Sequence, residues 1–172
     1  CIEHLSSEKV HLIRLILRSL RTFRDGKNVA RQLTTMLEEA EILTEKRLYR
    51  QAIKILRKAE KTARLYEDFP ILLRILDLYR VHVHDMQNKN VKEQIREIVV
   101  ETEDVLDRLH NKMSFQNLYD TVFAAARMNL TGGNPDMPTE LEHHPLLADE
   151  QLARSFEAKL RFNTIHAICR QM

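Results

Sequence analysis

The sequence predicts an all-α fold, and three observations indicate it. Only 3 of the 172 residues are Gly and 4 are Pro, whereas average usage gives roughly 12 and 9. Charged residues make up 30% of the chain, with Lys, Arg and Glu prominent beside the helix former Leu. Apolar residues recur at the spacing of one helix face along most of the sequence. Because sheet-rich folds need more turn residues, this composition argues against barrels, sandwiches and Gly-loop nucleotide folds.

Length, hydropathy and cysteine content narrow the class further. The hydrophobic fraction of 44% can supply a core, and 172 residues fit one domain. No stretch reaches the roughly 18 apolar residues of a membrane span. The two cysteines, Cys1 and Cys169, lie at opposite ends, so we expect no disulfide framework and a cytoplasmic protein. Both ends of the chain fall in predicted helices, so we expect residues 1–172 to be one helical repeat domain and a fragment of a longer array.

The first three predicted helices follow one another closely. An apolar stripe predicts helix one over residues 6–24, and Gly26 suits the left-handed residue after its end. Asn28 is the predicted N-cap of helix two, over 29–45. Helix three is predicted over 48–66, almost without a break. Its buried face contains a small residue every seven positions, which lets a neighbouring helix approach closely.

The middle of the sequence predicts three more helices. Asp68 precedes helix four, predicted over 70–86, which is apolar around much of its circumference and is therefore expected to be central. Helix five is predicted over 91–112. Ser114 is the predicted N-cap of helix six, over 115–129. These assignments imply a break in the helix between residues 112 and 115.

Residues 130–147 interrupt the helical pattern. They contain two of the three Gly and three of the four Pro residues, which predicts a loop of unusual length for a compact domain. Helix seven follows from about Ala148, which gives about seven helices in all. Met137, Leu141 and Leu146 are apolar residues within this loop. We therefore hypothesise that the loop covers a groove between helices six and seven and moves when a partner binds.

Helices two and three carry a resemblance to a repeat family. The pattern in helix three is Tyr49-x-x-Ala52-x-x-x-Leu56-x-x-Ala59. It resembles the second helix of a tetratricopeptide repeat, and Ala40 and Leu43 fall at the small and bulky positions of that family's first helix. The similarity covers about 35 residues, or about a fifth of the chain. Glu39 stands where the family prefers Leu, and Arg64 stands near its usual Pro, so the chain looks like a degenerate array.

The resemblance implies a right-handed stack of antiparallel helix pairs with a curved binding surface. On this basis we expect a non-enzymatic scaffold that binds a peptide, a protein segment or another copy of itself. The first helix of each pair lines the concave side in that family, and the alternative is that these positions are ordinary solvated ones. The implied partner-binding residues are Thr34, Glu38, Glu41, Thr44 and Glu45 in helix two, and Arg74, Asp77, Arg80 and His84 in helix four.

Charge is divided unevenly along the chain. Residues 1–66 carry 15 Lys and Arg against 8 Asp and Glu, a net +7, whereas residues 67–172 carry 12 against 17, a net −5. The positive residues form stripes, which predicts a basic face that binds an acidic protein or nucleic acid. The alternatives are a solvated face, or ion pairs with an acidic stripe on helix five. The basic stripes are Arg14, Arg18 and Arg21 on helix one and Arg47, Arg50, Lys54, Arg57, Lys58 and Lys61 along helix three; the acidic stripe is Glu93, Glu97, Glu101 and Asp104.

No sequence motif indicates catalysis. The chain lacks the phosphate-binding Gly-rich loops, the HExxH and CxxC metal or redox motifs and the GxSxG nucleophile motif. His143 and His144 lie among acidic residues of the loop, but neither helix spacing nor a turn orders them as metal ligands. Cys169 is expected to be a buried, inert thiol. We therefore expect no catalytic residue, no cofactor and no metal.

Overall fold

The structure is a computed structural model that describes residues 9–16, 28–85, 90–130 and 144–170, with the side chains at 129 and 130 excepted. The all-α prediction is confirmed, because these residues form six α-helices and two short 3₁₀ helices and contain no strand. The α-helices are α1 (9–16), α2 (Val29–Glu45), α3 (Tyr49–Leu65), α4 (Phe69–Asp85), α5 (Val91–Leu130) and α6 (Phe156–Cys169).

The chain divides into two compact units, Cys1–Ala63 and Arg64–Met172. We call them the N-terminal unit and the C-terminal unit. The boundary falls in the last turn of α3. Residues 9–16 lie inside predicted helix one, while its other residues and Gly26 lie outside the described part of the chain.

Local caps explain why α2 begins and ends where the sequence predicts. Asn28 Oδ1 accepts a hydrogen bond from the Ala30 N–H at 3.0 Å, which confirms the predicted N-cap. At the other end Arg47 has a positive φ of 57°. The Arg47 N–H donates to the Thr44 carbonyl at 2.9 Å and the Leu48 N–H to the Leu43 carbonyl at 2.8 Å. This pair of hydrogen bonds is a Schellman motif, which ends the helix without a glycine.

The N-terminal unit is built on small residues. Leu33, Leu37 and Ala40 of α2 are buried, and α3 buries mainly alanines. The helices α2, α3 and α4 each contain 17 residues, and three residues connect each helix to the next. The helix α4 therefore begins at Phe69, 40 residues after α2 begins at Val29. A tetratricopeptide unit measures about 34 residues, so this pair is longer than the family pattern.

The C-terminal unit contains one long helix where the sequence predicts two. The helix α5 runs through 40 residues, about 60 Å at 1.5 Å per residue, so the predicted break near Ser114 is wrong. Ser114 Oγ donates to the His110 carbonyl at 2.9 Å, a bond made inside a helix rather than at its start. No Gly or Pro stands near this point, and the buried stripe continues from Val105 to Phe115 and Val122. The described residues therefore contain six α-helices rather than seven.

The helix α4 packs antiparallel against the first part of α5. Lys112 Nζ lies 5.9 Å from the ring centroid of Phe69 at the start of α4. Near the other end of α4, Arg80 approaches the Thr102 hydroxyl at 3.5 Å. Residue numbers therefore increase along α4 in the direction in which they decrease along α5, so the two helices are antiparallel. Phe69 and Ile75 are buried, as expected for a central helix.

The helix α6 runs parallel to α5, so the prediction of antiparallel pairs is wrong for this pair. Lys112 forms an ion pair with Glu157, and further along both helices Arg161 Nε donates to Gln116 Oε1 at 2.7 Å. Residue numbers thus increase in the same direction along both helices, so α5 and α6 are parallel. A parallel neighbour needs a long connection, and the sequence has 25 residues between Leu130 and Phe156.

The segment before α6 also differs from the prediction that helix seven begins near Ala148. Residues Pro145–Leu147 and Glu150–Leu152 form the two 3₁₀ helices, and α6 begins only at Phe156. Asp149 caps the second 3₁₀ helix by accepting from the Gln151 N–H at 2.8 Å. Ser155, which is buried, caps α6 by accepting from the Ala158 N–H at 3.1 Å. Two separate caps thus divide the stretch into two elements.

The segment before α6 and the helix α6 itself share one hydrophobic core with α5. The rings of Phe115 and Phe162 meet edge to face with centroids 6.4 Å apart. Leu146 and Cys169 are partly buried against the same cluster. Residues 131–143, with Met137 and Leu141, lie outside the described residues, so the hypothesis of a moving loop over 130–147 stays a prediction.

Candidate interaction surface

The helix α3 has two opposite faces of different chemistry. Its buried side consists of Ala52, Leu56, Ala59 and Ala63, all of them 0% exposed. At 3.6 residues per turn, these four residues occupy an arc of about 60°. The five helical basic residues, Arg50, Lys54, Arg57, Lys58 and Lys61, occupy an arc of about 100° on the opposite side. We call these five residues, with Arg47 just before the helix, the basic face.

All six residues of the basic face are exposed. Within the described ranges none of them takes part in an ion pair. The five like charges on α3 repel each other by a few tenths of a kcal/mol per neighbouring pair. The basic face is thus a solvated, uncompensated positive surface of the N-terminal unit.

The acidic stripe of α5 pairs with α3 at one residue, as the alternative drawn from the sequence has it, but that residue lies outside the basic face. Glu101 pairs with Arg64, Nη1 to Oε1 at 2.7 Å, and Arg64 is not part of the basic face. Asp104 pairs with Arg108 at 2.8 Å and with Arg154 at 3.5 Å. The last two carboxylates of the stripe are therefore engaged within the C-terminal unit.

The basic stripe predicted on helix one is only partly visible. Arg14 is exposed, and Arg18 and Arg21 lie outside the described residues. A continuous surface with the basic face stays a prediction.

On α2 the predicted partner-binding residues present mainly carboxylates. The hydroxyls of Thr34 and Thr44 donate to the carbonyls of Ala30 and Ala40, at 2.9 and 2.7 Å. Those hydroxyl protons are therefore engaged inside the helix. The other three residues are carboxylates and give this side of α2 a negative charge. Glu38 and Glu45 are exposed, and Glu41 is half-buried.

On α4 the predicted residues have mixed roles. Arg74, Asp77 and His84 are exposed. Arg80 is half-buried and lies 3.6 Å from Asp77 and 3.5 Å from the Thr102 hydroxyl. Arg80 thus helps to fasten α4 to α5. The residues predicted on α2 and those predicted on α4 belong to different units.

A groove between α2 and α3 was not foreseen from the sequence. Its volume is about 490 Å³, within the usual range for ligand-binding pockets. Lys58 belongs both to this groove and to the basic face. The residues reach the groove from two helices, and only their i, i+4 spacing on each helix hints at a shared side. The described lining is Arg31, Gln32, Leu33, Thr35 and Met36 of α2 with Lys58 and Thr62 of α3.

The C-terminal unit contains an open cavity of about 540 Å³ around the start of α6. Glu67 and Phe156 are among its lining residues, and the Phe156 N–H already donates to the Glu67 carboxylate at 2.8 Å. This contact closes the helix N-terminus to an external anion, so the cavity is a junction between elements.

One buried histidine has a shifted titration. His82 is 2% exposed, and burial lowers its pKa below the usual value of 6.5, with the charge of Asp85 opposing part of that effect. His82 is therefore neutral in the folded protein at physiological pH. Its side chain is buried and is therefore not part of an exposed reaction site.

Neither a metal centre nor a membrane span emerges from the residues that the structure describes. No group of three or more His, Cys, Asp or Glu side chains in these ranges is placed to hold a metal ion. His144, the described member of the histidine pair, accepts through Nδ1 from the Leu146 N–H at 3.2 Å. None of the described helices has the length and apolarity needed to cross a bilayer.

Comparisons with family models, with curated proteins and with solved structures found no match to this chain.

Proposed function

We propose that the protein is a non-enzymatic protein-interaction scaffold whose basic face binds an acidic segment of a partner protein. The observation that carries this proposal is the basic face itself. Its six exposed positive residues take part in no ion pair within the described ranges, and five of them lie directly opposite the buried side of α3. Complementary charge on a partner gives fast association and selects against the wrong partner.

A scaffold of tetratricopeptide-like helix pairs is the architecture we propose for it. The pattern from Tyr49 to Ala59 and the short connections after α2 and α3 support that architecture. The 40-residue spacing between α2 and α4 is longer than the roughly 34 residues of a tetratricopeptide unit, so the resemblance is one of architecture and not of repeat length. The partner-facing residues inferred on α2 and α4 and the cytoplasmic location belong to the same proposal.

Nucleic acid is the competing partner for the same surface. Lys and Arg side chains that contact phosphates give binding that weakens steeply with salt. The placement of aromatic residues on α3 favours protein over single-stranded nucleic acid. Tyr49 is the one aromatic residue between Arg47 and Lys61. It is half-buried near the buried side of α3, about 60° around the helix from Ala52, so base stacking has no platform on the basic face.

The test compares two triple charge reversals that change the net charge equally. One variant carries Arg50→Glu, Lys54→Glu and Lys61→Glu on the basic face. The control carries Lys92→Glu, Arg96→Glu and Lys159→Glu at exposed positions of the C-terminal unit. Circular dichroism checks that both variants are folded.

The readout is fluorescence anisotropy with labelled poly-L-glutamate of about 20 residues and, separately, a 20-base-pair DNA duplex. We expect polyglutamate to bind the wild type and the control, and to lose at least tenfold in affinity on the basic-face variant, about 1.4 kcal/mol. Equal binding to all three proteins would remove the basic face as the site. Tighter binding of the duplex than of polyglutamate would overturn the proposal in favour of nucleic acid.

A further inference from the structure

The groove between α2 and α3 adjoins the basic face. Lys58 lies on the edge of the basic arc and also lines the groove. Lys54 and Lys61 lie within about one helical turn of Lys58, which is roughly 5.4 Å. A ligand bound across the basic face therefore meets the groove at the level of Lys58.

Apolar atoms make up the larger part of the groove wall, although five of its seven described lining residues are polar or charged. Leu33 is 1% exposed and Met36 is half-buried. The Thr62 hydroxyl donates to the Lys58 carbonyl at 3.2 Å, so its hydroxyl proton is engaged within α3. Met36 has a flexible, polarizable side chain that adapts its shape to a bound group. The groove can therefore receive an aliphatic side chain against Met36 and the alkyl stems of Arg31 and Lys58.

We infer that this groove holds one aliphatic anchor residue of the acidic segment whose carboxylates bind the basic face. The inference rests on the proposed function and specifies its ligand. The partner is an acidic helical segment with a single Leu, Ile or Met flanked by Glu or Asp one turn away. Carboxylates at i±3 and i±4 of the anchor then fall at the same pitch as the Lys and Arg residues of α3. This is the helix-in-groove mode of peptide recognition with charged flanks.

The choice of a peptide over a nucleobase follows from the lining. None of the described lining residues is aromatic, whereas single-stranded nucleic acid is held chiefly by stacking on aromatic rings. Met36, which is half-buried, offers contact area for an alkyl group but no hydrogen-bond pattern for a base.

Two peptides test the anchor separately from the charge. Both are 16-residue helical peptides of Glu and Ala, and one carries Leu at its centre where the other carries Ala. We expect the wild-type protein to bind the Leu peptide about tenfold more tightly, as burial of one aliphatic side chain implies.

Two threonine variants add the same side chain at different places. Thr35→Phe fills the groove from its exposed rim, whereas Thr121→Phe adds a phenyl ring at an exposed position of α5, in the C-terminal unit. We expect Thr35→Phe to abolish the preference for the Leu peptide while still binding the Ala peptide. Thr121→Phe is expected to keep the tenfold preference. Thermal unfolding followed by circular dichroism shows whether either variant is folded.

The failures of the two proposals are distinguishable. Equal affinity of the wild type for both peptides overturns the anchor and leaves the basic face intact. A Leu preference that survives Thr35→Phe also overturns it. If neither peptide binds the wild type, the proposed function itself fails and the anchor inference fails with it. The same holds if both peptides bind the basic-face charge variant as tightly as they bind the wild type.

Discussion

The carboxylate of Glu67 accepts a hydrogen bond from the backbone N–H of Phe156 at 2.8 Å, across 89 residues of sequence. Glu67 follows the end of α3 with a positive φ of 50°, and Phe156 is the first residue of α6. Glu67, whose positive φ follows the end of α3, therefore also accepts a hydrogen bond from a backbone N–H in the first turn of α6, which has no acceptor within the helix. A negative charge at this position is favoured by the partial positive charge of the helix N-terminus.

We predict that Glu67→Ala lowers the free energy of unfolding by about 1 kcal/mol, because α6 loses both a cap and a favourable charge. Glu67→Gln keeps an acceptor oxygen and is expected to lose less than half as much. Urea unfolding at neutral pH measures both. Glu103→Ala, at an exposed position of α5, is the control and is expected to change stability by less than about 0.5 kcal/mol. Equal losses for Glu67→Ala and Glu103→Ala would show that the contact does not stabilise the fold.

A pair of serine variants tests the continuity of α5. Ser155 caps α6, so Ser155→Ala is expected to lower the free energy of unfolding by about 0.5–2 kcal/mol. Ser114 lies inside α5, so Ser114→Ala is expected to be neutral or stabilising by up to about 0.5 kcal/mol, since Ala is the better helix former. Chemical denaturation gives both values. A loss of 1 kcal/mol or more at Ser114 would indicate a cap there and hence two helices instead of one.

Asn111 fastens the segment before α6 to α5. Its amide donates to the Leu152 carbonyl and accepts from the Arg154 N–H, both at 2.9 Å. Asn111→Ala leaves both backbone groups without this partner, and we expect a loss of about 1–3 kcal/mol. Asn117→Ala, at an exposed position on the same helix, is the matched control and is expected to have little effect. Hydrogen exchange at the Arg154 amide gives an independent readout, which should rise only in the Asn111 variant.

Stability is expected to fall as the pH drops below about 6.5, the pKa of an unperturbed histidine. Burial lowers the pKa of His82 in the folded state, so the unfolded chain binds a proton at a pH where the folded protein does not. The free energy of unfolding therefore rises with pH through this window and no longer depends on His82 above it.

The variant His82→Leu is expected to flatten the dependence between pH 5 and 7, as measured by urea midpoints at several pH values. His110→Gln, at an exposed position, serves as the control and should keep the wild-type slope. An unchanged slope in the His82 variant would assign the dependence to other groups.

The all-α class and the bounds of three helices are determined locally, which is why the sequence predicts them. Asn28 caps α2 as expected, and Asp68 Oδ1 accepts from the Ile71 N–H at 3.3 Å near the start of α4. The predicted bounds of α2, α3 and α4 agree with the structure within one residue. Caps and apolar periodicity act within a few residues, so one stretch of sequence contains all the information they require.

The exposure of the basic face also follows from the sequence alone. On a helix, Arg50, Lys54 and Lys61 must share a side, and that side lies opposite Ala52 and Ala59 because of the 3.6-residue period. The 3.6-residue period does not determine whether acidic residues on other helices form ion pairs with these basic residues. In the structure, Glu101 and Asp104 pair with other arginines.

The features that join distant parts of the chain could not be predicted from local sequence patterns. Ser114 can either cap a helix or bond back to the preceding turn, and the choice depends on Phe115 and Val122 packing against α6. The parallel course of α6, the groove that Lys58 shares with α2 and the Glu67 cap all join residues from different elements. Local patterns determine which face of a helix is apolar. The neighbour that covers the face, and its direction, depend on packing between residues remote in sequence.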